Sequence, residues 1–185
     1  MRIKKAKLIR NGCLEVVYFD GEGNEVNMKG VNQAHKDLKD AMKRLVPFLC
    51  ELTEQKEAND IDWFDLWSEE NEKRLSRLDV SGVTVSGDDT FKCVVLTGRR
   101  TLSVTNKVLN LNTPSISLDE EADEYGRLPE LQEAIDAVLE EAKLYVVERK
   151  YGVTQQEFDF NAKADDPFGG EGEAGESAPL NEEAA

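Results

Sequence analysis

From Val153 to Ala185 the chain carries nine carboxylates against one cation, Lys163, a net of −8 out of the −15 of all 185 residues. That leaves −7 for residues 1–152. A stretch so charged, with glycine at 169, 170, 172 and 175 and almost no aliphatic side chains, cannot bury enough apolar area to offset its ordering entropy. The sequence therefore predicts a folded domain over 1–152 and a disordered acidic tail over 153–185. Any core must come from the first 152 residues, which suffice for one ordinary domain and not for two. Phe158, Phe160 and Phe168, with Leu180 further on, are the large apolar groups of the tail. Apolar anchors set in a mobile acidic segment predict a docking peptide.

Several classes drop out. The longest apolar runs, such as Val94–Leu96, are a few residues long, whereas a membrane span needs about 20. Arg10 and Asn11 interrupt Leu8-Ile9, so the start of the chain lacks the apolar stretch of a secretory signal. Cys13, Cys50 and Cys93 are odd in number and far apart, the pattern of reduced thiols rather than of a disulfide framework. The expectation is a cytoplasmic protein. Its acidic balance repels nucleic acid at long range, yet leaves room for a local basic face.

Periodicity predicts an α+β fold. Two β-prone runs, Ile3–Leu8 and Leu14–Phe19, flank Asn11-Gly12, a strong hairpin signal, and a short strand Glu25–Met28 follows a second turn at 20–24. Asn32 is the expected cap of a helix whose stripe is Leu38, Ala41, Met42, Leu45, Phe48, Leu49 and Leu52. Because that period continues past Pro47, one kinked helix is expected. Asn59–Arg77 predicts short helical turns, with Trp63, Phe64, Leu66 and Trp67 covering an edge of the core. Leu78–Val85 and Phe91–Thr97 predict strands, the second central. A turn at Gly98-Arg99-Arg100, a return over Thr101–Thr105 and a strand over Lys107–Leu111 complete the sheet. The last helix runs from Pro129 to Tyr151 and stops at Gly152. The predicted architecture is an antiparallel sheet with a long first helix and a C-terminal helix packed on one face.

Motifs for chemistry are sparse. His35 is the only histidine, and no close Cys/His pair announces a zinc site. Cys50 lies about 22 Å along the same helix from His35, too far for a nucleophile and its base, while Cys93 stays open as a partner. The carboxylates at Asp60, Asp62 and Asp65, at Asp88-Asp89 and at 119–124 read as solvated turns and caps. Glu141-Ala142-Lys143 has nuclease-like spacing on a helix instead of a strand and reads as a surface pair. No Gly-Lys-Ser/Thr loop is present to grip phosphate. No enzymatic activity, no cofactor and no metal are expected.

Cations cluster instead. Lys4, Lys5, Lys7 and Arg10, beside Arg2, crowd the first strand, and Lys92, Arg99, Arg100 and Lys107 crowd the later hairpin. Should those strands be neighbours, the face would track a phosphate backbone, with Tyr18, Phe19 or Phe91 to stack on bases. The competing explanation is lysines on an edge strand that discourage aggregation. The acidic tail would compete with weakly bound nucleic acid for such a face.

Gln155-Gln156-Glu157-Phe158-Asp159-Phe160 resembles the peptide with which bacterial proteins bind the sliding clamp. Gln155, Phe158 and Phe160 fall on its key places, and Phe158 stands where leucine is usual. Asp165-Asp166-Pro167-Phe168 is similar to the acidic tip of bacterial single-stranded-DNA-binding proteins, although there the phenylalanine is the last residue. The body, with Lys107-Val108-Leu109-Asn110-Leu111-Asn112, resembles proteins of unassigned activity carried by phages and mobile elements of gut bacteria. These likenesses imply a non-enzymatic accessory protein of phage or mobile-element DNA replication or recombination. Its body would bind single-stranded DNA or a partner weakly, and its tail would recruit a sliding clamp or another replication protein through Gln155, Phe158, Phe160 and Phe168. The alternatives are an acidic DNA mimic that inhibits a host defence enzyme, or a small phage structural or assembly protein.

Overall fold

The computed structural model describes residues 1–87, 91–119 and 125–152. The tail and its docking residues Gln155, Phe158, Phe160 and Phe168 lie outside the described residues. Eleven elements follow in order: β1 (Arg2–Leu8), β2 (Cys13–Phe19), β3 (Glu25–Gln33), α1 (Lys36–Arg44), α2 (Val46–Leu52), α3 (Glu69–Leu75), β4 (Leu78–Gly87), β5 (Lys92–Thr101), β6 (Val108–Asn112), β7 (Ile116–Ser117) and α4 (Leu128–Val147). The fold is α+β, with an antiparallel sheet in the order β3-β2-β1-β4-β5-β6 and the short β7 also paired to β5.

The Asn11-Gly12 hairpin forms as its chemistry requires. Both residues take the left-handed backbone, φ 67 and 72, that asparagine and glycine tolerate best. Leu8 then pairs with Leu14, and the register carries Ala6 opposite Val16. Because paired residues share a face, Ile3, Ala6, Leu14, Val16, Val83, Val94 and Leu96 all point to one side of the sheet. There they join the buried residues of all four helices in one core. The core is thus a two-layer contact of sheet and helices.

Pairing extends several strands beyond their expected ends. β3 runs on to Gln33, so the helix cap moves from Asn32 to His35, whose Nδ1 accepts the Asp37 amide at 3.3 Å. The stripe from Leu38 to Leu49 is buried as expected, but the helix is interrupted at Leu45. Pro47 falls in the first turn of α2, where a missing N–H costs nothing. β5 continues through Gly98-Arg99-Arg100 to Thr101 because β6 pairs with it there, and the turn comes after Leu102. Gly98 is needed in that ladder: a Cβ would sit 2.3 Å from Leu49 and 2.6 Å from the Asp79 carbonyl. α4 ends at Val147, ahead of the expected Tyr151. Arg149 (φ 55) turns the chain so that Tyr151 bridges Ala34 and the Gly152 amide donates to the Gln33 carbonyl at 2.8 Å.

α4 is threaded closely under the first meander. The Tyr145 hydroxyl donates to the Asn32 carbonyl at 2.7 Å, and a Cβ on Gly30 would come 2.0 Å from the Tyr145 hydroxyl oxygen. Tyr151 packs edge-on to Tyr145 with ring centroids 4.8 Å apart. Beside them Lys150 bridges Asp37 (2.6 Å) and Glu141 (2.8 Å), joining α1 to α4. No helix among the described residues is long and apolar enough to cross a membrane.

Candidate nucleic-acid interface

The alternation that sends Ala6 and Val16 into the core sends their neighbours to the other side of the sheet, which none of the four helices packs against. The register places Arg2 opposite Phe19 and Phe19 opposite Glu25, Lys7 opposite Glu15 and Glu15 opposite Lys29, and Asp79 opposite Arg99. Lys5 sits there too, between Val17 and Thr84. On this open face five cations (Arg2, Lys5, Lys7, Lys29, Arg99) meet three acids (Glu15, Glu25, Asp79). Lys4, in the bulge between Ile3 and Lys5, adds a sixth cation at its rim. The face is positive in a chain of net charge −15.

The two expected groups of cations are not on adjacent strands, because β4 lies between β1 and β5. Lys5, Lys7 and Arg99 are nevertheless on the same face. Arg100 is turned away: it lies opposite Leu78, and its guanidinium holds Glu57 in a two-point contact (2.6 and 2.8 Å) and Gln55 at 2.8 Å. Lys92 stands at the end of β5, where with Arg2, Lys4, Phe19, Gln132 and Asp136 it lines a cleft of about 330 Å³. Arg10 occupies the β1–β2 turn and Lys107 the loop before β6, both exposed. Arg2, at the start of the basic strand, is on the open face as well. Lys29 was missed because β3 was expected to end at Met28; the alternation Val26, Met28, Gly30 was the available signal.

Of the three aromatics expected to stack on bases, Tyr18 packs against the core, and Phe91 stands exposed just before β5. Phe19 is at the end of β2 on the open face, with the Arg2 guanidinium 5.0 Å and the Lys4 ammonium 5.6 Å from its ring centroid.

The cations are held lightly. Lys4 pairs with Glu25 at 2.7 Å and Arg99 with Asp79 at 2.7 Å, both largely in solvent, while Lys5 holds the part-buried Glu15 at 2.8 Å. Exposed pairs of this kind contribute about 0–1 kcal/mol, so exchanging a carboxylate for a phosphate costs little. Glu15 is the most firmly engaged acid. The hydrogen bond from Lys5 holds its carboxyl below the ordinary 4.5 against the opposing effect of burial, and Lys29 and Lys7 add to the lowering. Among the described residues Lys7, Arg10, Lys92 and Lys107 make no ion pair.

The same geometry bears on catalysis. His35 is spent as a helix cap, and Cys93 lies on the open face opposite Ser86. Cys50 is fully buried, and desolvation together with the nearby Glu57 pushes its thiol up to about 12. It is an inert, protonated core residue. No group of three or more metal-ligating side chains comes together among the described residues. No family model, no curated protein and no solved structure matches this chain.

Proposed function

We propose that the open sheet face binds single-stranded DNA, and that the protein is a non-enzymatic accessory factor of phage or mobile-element DNA metabolism that brings such a strand to a second protein. The observation that carries this reading is the position of β1. It is an interior strand, paired on both sides, so Lys5 and Lys7 cannot be explained as guards of an exposed edge. Lysines on the interior of a sheet face that none of the four helices packs against, with a cation-flanked phenylalanine at its end, provide what a single strand needs. They give an electrostatic track for phosphates and a ring for a base. Contacts of this kind go to phosphates and to the face of a base, so the expected affinity is low, sequence-tolerant and strongly dependent on salt.

The test is fluorescence anisotropy of a labelled oligonucleotide against the full-length protein at several salt concentrations. Glu15→Gln removes the strongest competitor for Lys5 and should tighten binding several-fold. Phe19→Ala should weaken it about tenfold, in line with one lost base stack. Absence of binding at low salt, or indifference to both substitutions, would reject the reading and favour the acidic DNA mimic.

A further inference from the structure

A second surface, on the helical side, is built on different chemistry. Between α2 and α3 the sequence Ile61-Asp62-Trp63-Phe64-Asp65-Leu66-Trp67 brings three aromatics together, and the structure divides them. Trp63 turns inward, 5.5 Å from the Phe48 ring, with the Arg127 guanidinium 4.0 Å from its centroid on the other side. Phe64 is fully exposed and Trp67 is 53% exposed. Trp67 and Leu66 wall a groove of about 630 Å³ whose apolar lining includes Val46, Pro47, Leu75 and Leu78.

This exposure is held in place by a satisfied framework. Asn71, only 1% exposed, accepts the Asp62 amide at 3.1 Å and donates to the carbonyls of Asp62 (2.8 Å) and Asp65 (3.1 Å). The Asp62 carboxylate accepts the amides of Phe64 and Asp65, and the Ser68 hydroxyl caps α3. Every one of these bonds fixes the backbone that projects Phe64 and Trp67 into solvent. Large exposed aromatics on a fixed backbone beside an apolar groove are the composition of a binding hot spot.

We propose that this groove docks a basic amphipathic helix of another protein. Charge selects the partner: Asp60 to Glu72 holds six acids and no cation, and Glu72 reaches the lining. Lys43 and Arg44 in the wall are occupied, Lys43 by Asp40 at 3.6 Å and Arg44 over the Trp67 ring at 6.0 Å. Nucleic acid is repelled by such a rim. A second copy would set the acidic loop against itself. Of the strands only β4 reaches the lining, with Leu78 and Asp79, and both of these pair with β5. What remains is side-chain recognition: apolar anchors of a helix in the groove against Leu66 and Trp67, a further apolar contact on the exposed Phe64 of the same loop, and its lysines or arginines on the acidic rim.

The experiment titrates full-length protein into three labelled synthetic peptides. One is an amphipathic helix of leucine and lysine, one has the same composition in scrambled order, and one carries glutamate in place of lysine. The ordered basic helix should bind saturably, at least about tenfold tighter than either control, and the double variant Phe64→Ala/Trp67→Ala should lose about tenfold. Lys5→Glu/Lys7→Glu should leave this affinity unchanged, which keeps the result separate from oligonucleotide binding. Three outcomes would overturn the proposal: equal binding of ordered and scrambled peptides, equal binding by parent and double variant, or self-association of the protein that the double variant abolishes. Since Phe64 carries no core contact, Phe64→Ser alone supplies a variant whose folding is unaffected.

Discussion

The open face of the sheet and the loop from Asp60 to Glu72 are both exposed, and they are exposed in opposite ways. On the sheet the backbone is locked by ladders on either side, and the side chains that reach solvent are long cations paired loosely with carboxylates. Around the loop the backbone has no ladder, so a single buried amide, Asn71, takes over, and the side chains presented are aromatic. A sheet face is cheap to charge because its geometry is set by pairing whatever the outward residue is. An irregular loop can present rings only if its own polar groups are satisfied first. The first surface suits a long, variable polyanion, and the second a shaped, apolar ligand.

The harshest way to break this contrast is Asn71→Leu. It leaves two carbonyls and an amide without their partner and should cost about 3 kcal/mol in urea denaturation. Recognition of the basic helix should be lost, while oligonucleotide binding by the protein that remains folded should persist. Next comes Lys5→Glu with Lys7→Glu. Oligonucleotide affinity should fall by about tenfold or more, near 1.4 kcal/mol, with a shallower salt dependence and a modest loss of thermal stability, because Glu15 loses Lys5 and faces a second carboxylate at position 7.

A smaller effect is expected from Glu57→Gln. Arg100 holds the Glu57 carboxyl below its ordinary 4.5 against an opposing contribution from burial. A carboxyl whose folded value is depressed stabilises fully above its unfolded value, and that contribution disappears as pH falls through the folded one. The parent should therefore lose stability below about pH 4.5 more steeply than the glutamine variant in acid titration followed by circular dichroism. Smallest of all, Phe64→Ser should change stability by no more than about 0.5 kcal/mol while still weakening the basic helix. A large loss of stability there would mean that the ring is part of the core.

What could be read from the sequence was whatever local chemistry alone determines. Asn11-Gly12 required its hairpin, the stripe from Leu38 to Leu49 required a buried helix face, and the period from Leu131 to Tyr145 required the last helix. Element ends set by distant partners were not legible. β5 passes through Gly98 because β6 and Leu49 receive it there, and β3 reaches Gln33 because β2 does. For the candidate interface, the basic strand was visible as composition, but the face each cation takes depends on register. Arg100 differs from Arg99 by a single position, and that parity alone sends it to Glu57 on the helical side. The division of Trp63 from Phe64 and Trp67 had no signal, since Asn71, nine residues from Asp62, decides it.

Tyr145 reaches the Asn32 carbonyl across 113 residues of sequence. During synthesis the opening meander therefore leaves the ribosome long before the ring that must slide beneath Gly30 exists. Until then the hairpin can be paired yet unsupported, with its apolar side open to whatever holds nascent chains. Completion waits for the last helix, and a chain cut short of it should be an unfinished domain instead of a smaller stable one.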